Sequence, residues 1–292
     1  MDVTHQTADE QARLWNGPSG RAWVDAQAWL DAMFQPFEDL LVNAASSAGR
    51  GVLDVGCGTG ATTLAVARRH GAASRCVGID ISGPMIAAAR ASAEREGTPA
   101  SFIQANAQTH VFAPASFDMI ISRFGVMFFD DPVQAFANLR HAASQGAGLR
   151  CIAWRSAAEN PFMTTAERAA APLLPDLPAR RPNAPGQFAF ADPDRVRGIL
   201  EQSGWLEIEI RPIDVACILP EQGLVEYVTR LGPVGLALQE ADDQTRAKVI
   251  ETVRAAFDPY VHGAEVRFTA ACWMIGAQAP SASGARKEDE HV

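Results

Sequence analysis

The run Val52-Leu53-Asp54-Val55-Gly56-Cys57-Gly58-Thr59-Gly60 joins an apolar strand pattern to a glycine-rich turn, and an Ala-rich helical pattern follows from Ala61. Alternate glycines allow backbone angles and a close approach that a Cβ would forbid, so a small molecule can lie against the main chain where the helix begins. The pattern is G-x-G-x-G, whereas a dinucleotide fingerprint has G-x-G-x-x-G to seat a pyrophosphate on the helix N-terminus. Its third glycine would fall at Ala61, a variant that some dinucleotide sites accept, so the loop alone leaves NAD open. A second group sits at the right distance. Asp80 closes the strand pattern Cys76-Val77-Gly78-Ile79-Asp80, about 20 residues after the loop, where a carboxylate accepts both hydroxyls of a ribose.

These residues need a parallel sheet to position them, and the pattern provides one. From Gly51 to Trp154, short apolar or β-branched runs alternate with longer helical patterns, the mark of βαβ units and an α/β fold. Strands are expected at Val52–Val55, Arg75–Asp80, Ser101–Gln104, Phe117–Ser122 and Gly148–Trp154. Helices are expected over Thr62–His70, Gly83–Glu96 and Pro132–Ala143, with Pro84 and Pro132 in first turns and Asp130 or Asp131 as a cap. Prolines 161, 172, 175, 178, 182 and 185 then break residues 155–190 into short pieces, which reads as a lid insertion. A capped helix over Asp192–Ser203, a strand over Leu206–Leu219, helices within 221–258 and a last strand over 265–276 complete the pattern.

Composition narrows the function classes. With 292 residues, 48% hydrophobic and 20% charged, the chain can bury a large core. Its 25 Lys+Arg against 34 Asp+Glu give a net charge of -9 without a basic cluster, so no nucleic acid partner is expected. Five cysteines at wide spacing without a CxxC pair fit neither a disulfide framework nor a zinc site, and no metal is expected. There is no secretory leader pattern and no apolar run of the roughly 18 residues that a spanning helix needs. The expectation is a soluble, cytoplasmic protein without a membrane partner.

VLDVGCGTG, GIDIS at 78–82 and FDMIISRFGVMFF at 117–129 together resemble the class I S-adenosylmethionine-dependent methyltransferases, and among them the branch like the ubiquinone/menaquinone-biosynthesis enzymes. With WNGPSGRAW at 15–23 and LGP at 231–233, the resemblance covers most of the chain. It implies a Rossmann-like, seven-stranded, mostly parallel sheet with helices on both faces, plus N-terminal helices and a lid insertion. The implied division is a helical cap at 1–45, a cofactor-binding core at 46–154, the lid at 155–191, core again at 192–219, a helical substrate cap at 220–263, the last strand at 264–278 and a flexible tail at 279–292.

The resemblance also implies roles. Gly56, Cys57, Gly58 and Gly60 would hold the methionine part of S-adenosylmethionine, and Asp54 would reach its ammonium group. Asp80 would take the ribose hydroxyls and Ile81 would lie against the adenine. Asn106, with Ala107 beside it, stands where many relatives have an Asp that accepts the adenine amino group; an amide oxygen accepts more weakly. Trp15 would close over the cofactor, and Arg123 would stand at the post-strand motif. Two departures stand out. Gln145-Gly146-Ala147-Gly148 replaces a Pro-Gly-Gly turn, and the quinone enzymes carry a different glycine loop, so a quinone substrate is not carried over.

Methyl transfer from a sulfonium is an in-line displacement that leaves S-adenosylhomocysteine, so the enzyme mainly aligns the acceptor and excludes water. The chain lacks the Asp/Asn-Pro-Pro-aromatic stretch of amino-methylating DNA enzymes and the Pro-Cys nucleophile of cytosine-C5 enzymes. A small-molecule acceptor, methylated at O, N or C, is therefore expected. Several residues carry two readings. If Gln11–Trp29 is one helix, Trp15 and Trp23 share a face, to pack on the core or to close the cofactor site. Arg123 orients an acidic substrate or pairs with a local carboxylate. The lid's Phe162, Met163, Leu173, Leu174, Leu177, Phe188 and Phe190 line a pocket for a hydrophobic, aromatic or polyketide-like substrate or form the lid's own core.

His70 and His141, in last helical turns, read as structural. His110 and His262 have no spacing partner, so no catalytic base is named, and Glu159-Asn160-Pro161-Phe162 opens the lid as a possible substrate contact. The competing functions are a cofactor-binding protein of this fold without methyl transfer and an NAD-dependent oxidoreductase. Monomer and homodimer both remain open.

Overall fold

The computed structural model describes residues 3–46, 49, 51–71, 74–181 and 183–281, with side chains from Glu10 onward; residues 282–292 of the expected tail lie outside it. Central strands β1 (Gly51–Val55), β2 (Arg75–Asp80), β3 (Ala100–Gln104), β4 (Phe117–Arg123) and β5 (Ala143–Trp154) run parallel. β6 (Leu206–Pro220) and β8 (Glu265–Gln278) join antiparallel, in the order β3-β2-β1-β4-β5-β8-β6. The fold is therefore α/β and Rossmann-like, with the seven long strands expected. A further two-residue strand, β7 (Val261–His262), pairs with β8.

β1 is buried at every position because strands flank it on both edges. Helices α4 (Ala61–His70), α5 (Gly83–Glu96) and α6 (Pro132–Ala142) form the crossovers between these strands. The direction of winding reverses between β1 and β4, and ligands in open α/β sheets bind beyond the strand ends at that switch. Helix starts follow local chemistry: Ser82, Asp131, Asp192 and Asp242 cap α5, α6, α8 (Pro193–Gln202) and α11 (Asp243–Ala256), each accepting from a backbone amide in the first turn.

Two elements differ from expectation. The segment Gln11–Trp29 is divided among α1 (Val3–Asn16), α2 (Pro18–Asp25) and α3 (Gln27–Ala45). Pro18 disfavours helical geometry at the residue before it, and Gly17 takes φ -101 and ψ -138 there. β5 starts at Ala143 and not at Gly148, because Ala143 pairs with Phe117 across a register shift in β4.

α3 buries Leu30, Met33, Phe34, Phe37 and Leu41, and the Phe37 ring lies 5.0 Å from that of Phe124. Phe124 in turn stacks on Trp154 at 4.7 Å and 12°. The insertion after β5 contains α7 (Pro161–Ala170), and α9 (Leu224–Arg230), α10 (Gly232–Glu240) and α11 lie between β6 and β8. Phe162 of α7 stacks on Phe268 of β8 at 3.8 Å and 2°, fixing the insertion to the sheet. Phe162 and Phe190 are buried, whereas Met163, Leu173, Leu174, Leu177 and Phe188 are partly buried against the core. No helix among the described residues is long and apolar enough to cross a membrane.

Candidate active site

A cavity of about 490 Å³ opens beyond the carboxyl ends of β1, β2 and β4, roofed by α1, α7, α9 and α10. Its floor is the glycine loop. Gly56 adopts φ +66, and a Cβ there would lie 2.6 Å from Gly125 Cα, so the β1 and β4 turns touch backbone to backbone. Ser122 holds that contact, its Oγ donating to Val55 O at 2.7 Å and accepting from Gly125 N at 3.2 Å. Gly58, at φ +56, donates its amide to Asp80 Oδ2 at 2.9 Å. Asp80 Oδ1 accepts from Ser82 N at 2.8 Å. Burial raises the Asp80 carboxyl and the amides oppose that rise, so one carboxylate ties the loop to the start of α5.

Gly60 does not line the cavity. It sits at φ +89 as the N-cap of α4, where a Cβ would meet Ala89 Cβ at 2.9 Å and Phe102 Cζ at 3.0 Å, so its glycine serves packing. Cys57 lines the cavity, but its Sγ lies against Gly78, where a Cβ would come within 2.7 Å of it. Burial pushes its thiol well up, so it stays protonated.

The deepest charged group is Asp54, 1% exposed. Its Oδ2 accepts from Thr63 Oγ1 at 2.7 Å, while Oδ1 is buried without a partner. Burial pushes its pKa up to about 6, against the Thr63 hydrogen bond and the nearby Arg123 charge. Thr62 Oγ1 and Arg123 Nη1 are also buried without partners, and all three residues line the cavity. Arg123 lies 4.0 Å from Asp31 Oδ1, beyond a hydrogen bond, and 5.9 Å from the Phe34 ring centroid.

Ile81, Asn106, Ala107 and Trp15 also line the cavity. Asn106 Oδ1 already accepts from Gln108 N at 2.9 Å, so only its second lone pair is available to a ligand. Trp15 packs edge-on against Phe128 at 5.3 Å and Trp23 at 6.3 Å, and its carbonyl accepts from Ser82 Oγ at 2.6 Å. Sequence reasoning missed the residues that hold Trp15 there. Asn16 donates through Nδ2 to Ile81 O at 3.1 Å and accepts from Gly83 N at 2.8 Å, so Asn16 and Ser82 join α1 to the β2–α5 turn. The Ser82-Gly83-Pro84 run signals the cap of α5 but not this second, long-range bond. Ser82→Ala is expected to lower stability by about 1 kcal/mol, the usual loss for an N-cap, as read by urea unfolding. Hydrogen exchange should accelerate in α1 and α2 in particular; unchanged exchange there would detach Ser82 from the Trp15 roof.

Aromatic rings form part of the remaining walls: Phe34, Phe124, Trp154, Phe162 and Tyr227. Arg180 and residues 185–187 line the mouth, with Gly186 N donating to Met127 O at 3.0 Å and Arg180 Nε to Glu167 Oε2 at 3.0 Å. None of the described residues that line the cavity is a histidine. His70 Nε2 contacts Ala45 O at 3.0 Å, and His110 packs on Phe112. Of the stretch 159–162 only Phe162 reaches the cavity. Asn160 instead exchanges two 2.9 Å hydrogen bonds with the backbone of Ala271, and Glu159 pairs with Arg155 at 3.0 Å.

Residues 52–146 match the family model described as a methyltransferase domain. This stretch is a methyltransferase domain. It covers β1 through the start of β5, and so contains the glycine loop, Asp80 and Arg123. Aklanonic acid methyltransferase DauC of Streptomyces sp. (strain C5) is 34% identical over 102 residues, 35% of this chain and 46% of that protein. The O-methyltransferase resE of Aspergillus sclerotiorum is 37% identical over 138 residues, 46% of this chain and 49% of that protein. The chain thus spans about half the length of these curated relatives. The YcgJ protein of Bacillus subtilis superposes with a TM-score of 0.56 over 85% of this chain and 99% of its own, at 15% identity, a likeness of fold. Outside 52–146 lie the roof helices and four of the aromatic wall residues, Phe34, Trp154, Phe162 and Tyr227, whereas Phe124 lies within it.

Proposed function

We propose that this chain transfers a methyl group from S-adenosylmethionine to O, N or C of a small, hydrophobic or aromatic metabolite. The observation that carries the reading is the set of unpartnered buried atoms lining one cavity. Asp54 Oδ1, Thr62 Oγ1 and Arg123 Nη1 give an anionic acceptor, a hydroxyl and a cationic donor, the complement of an α-amino acid zwitterion. Asp54 would hold the ammonium, Arg123 with Thr62 the carboxylate, Asp80 the ribose hydroxyls, and Ile81 with Ala107 the adenine. The bound cofactor supplies the electrophilic methyl.

The chain's own residues then orient and exclude. Gly56 and Gly58 let the ligand approach the main chain, Trp15 covers it, and residues 155–191 with α9–α11 act as the lid that keeps water from the acceptor. A cavity roofed in this way suits a small molecule. A pyrophosphate fits the loop poorly, because the unpaired Asp54 carboxylate would repel it.

Calorimetric titration with S-adenosylhomocysteine and with NAD tests the reading. Binding of NAD without binding of the nucleoside would refute it. A panel of phenols, amines and carboxylic acids with methyl-labelled cofactor should show label in at least one acceptor; a binding role without transfer would leave all of them unlabelled.

Titration adds a sharper expectation. An Asp held at about 6 attracts an ammonium only when ionised, so S-adenosylhomocysteine affinity should fall as pH drops through 6 and level off above it. The sign for the ligand-free chain is opposite. Because the folded value of Asp54 lies above the ordinary 3.8, its contribution to stability is lost as pH rises from about 4 through 6. Asp54→Asn should flatten the binding profile; a profile of equal slope in this variant would assign the pH dependence elsewhere.

A further inference from the structure

We infer that Tyr227 selects the acceptor: its hydroxyl hydrogen-bonds an oxygen on a planar aromatic substrate, a phenol or aryl ketone, stacked between the aromatic walls of the cavity. The inference rests on the methyltransferase reading above and names the substrate class of that same site.

Tyr227 is half-buried on α9 and lines the cavity. Its ring stands against Trp29 at 6.0 Å and Phe162 at 5.8 Å. Phe162 cannot yield, because it is itself stacked on Phe268 at 3.8 Å. Phe34, Phe124 and Trp154 form a second cluster of rings lining the same cavity, with Phe124 and Trp154 stacked. Walls of this kind favour a flat, apolar body, through area burial and offset or edge-to-face ring contact.

Within that apolar surround the phenol stands out. Among the described residues its hydroxyl bonds to Met163 Sδ at 3.3 Å, and a thioether is a weak acceptor. Burial raises the phenol well above its ordinary value, so the hydrogen stays on at any ordinary pH and the group remains a donor. A ligand oxygen would therefore gain a hydrogen bond that the protein satisfies poorly by itself. The charged groups at this end are already engaged: Glu167 with Arg180, and Arg230 with Asp25 and Glu226, each at 3.3 Å from Arg230. None of these three pairs leaves a charge without a counter-ion for an ionic acceptor, which favours a neutral oxygen-bearing ring over a charged chain.

The test uses the whole protein saturated with S-adenosylhomocysteine and two probes that differ by one hydroxyl, 1-naphthol and naphthalene. Wild type should bind 1-naphthol about tenfold more tightly, the scale of one buried hydrogen bond. Tyr227→Phe should reduce that ratio to below about twofold while naphthalene affinity holds, the signature of a pairwise contact in a double-mutant cycle. A ratio that survives Tyr227→Phe overturns the inference, as does failure of both probes to bind wild type. Should Tyr227→Phe lose S-adenosylhomocysteine binding through misfolding, Met163→Leu decides instead. Freeing the hydroxyl of its sulfur partner must then raise 1-naphthol affinity relative to naphthalene, and an equal change in both overturns the inference. Failure of wild type to bind S-adenosylhomocysteine at all brings down the cofactor reading, whereas a persistent ratio with the nucleoside bound brings down only the role of Tyr227.

Discussion

Asp80→Ala is expected to weaken S-adenosylhomocysteine binding by about 2–3 kcal/mol, roughly 30- to 150-fold, in calorimetric titration. Two losses combine. The ribose hydroxyls lose a charged acceptor, and hydrogen bonds to charged groups contribute more than neutral ones. The Gly58 and Ser82 amides, now held at 2.9 and 2.8 Å, lose theirs as well, so the glycine loop is no longer tied to α5. Asp80→Asn separates the two. An amide side chain can still accept from one backbone amide, so it should preserve more of the thermal stability while losing most of the affinity. Full affinity in both variants would mean that the sugar lies elsewhere and that Asp80 serves the loop alone.

Asp80 and its loop were legible in the sequence because the signal is local: a buried strand, a turn that needs glycine, and an acid closing the next strand. The parallel character of the sheet was equally legible, since short strand patterns alternated with helical ones and Pro84 and Pro132 mark the first turns of α5 and α6. Gly60 shows where local reading ends. It belongs to the same glycine pattern as Gly56 and Gly58, yet what demands its lack of a Cβ is Ala89 and Phe102, distant in sequence, on α5 and β3. The break at Gly17 was written locally, in the proline that follows it, but helical periodicity over Gln11–Trp29 masked it.

Tyr227 had no motif to mark it. Its position depends on how the helices between β6 and β8 return across the sheet, which spacing along one helix does not encode. Arg123 lay between these cases: the sequence placed it at the end of β4, but only the 4.0 Å gap to Asp31 and the unpartnered Nη1 show that no hydrogen-bonded ion pair closes it.

A series of glycine substitutions separates the parts of the loop. Gly97, left-handed at φ +64 and ψ +25 with nothing within 4 Å of an added Cβ, isolates backbone strain; Gly97→Ala should cost about 1–2 kcal/mol, the penalty for a left-handed non-glycine residue. Gly56→Ala adds a collision to the same strain, because its Cβ would lie 2.6 Å from Gly125 Cα in the turn after β4, where no side chain can swing away. Overpacking of this kind adds about 1–3 kcal/mol, for a total of roughly 2–5 kcal/mol in urea unfolding. Either the β1 and β4 turns part, which opens the cavity floor, or the loop shifts; both displace Gly58 N from Asp80, so affinity for S-adenosylhomocysteine should fall with stability. Gly60→Ala meets a side-chain methyl at 2.9 Å and lies off the cavity, so it should lose stability while the folded protein keeps near-normal affinity. If Gly60→Ala proved the more damaging to binding, the ligand would lie over the start of α4 and not against Gly56 and Gly58.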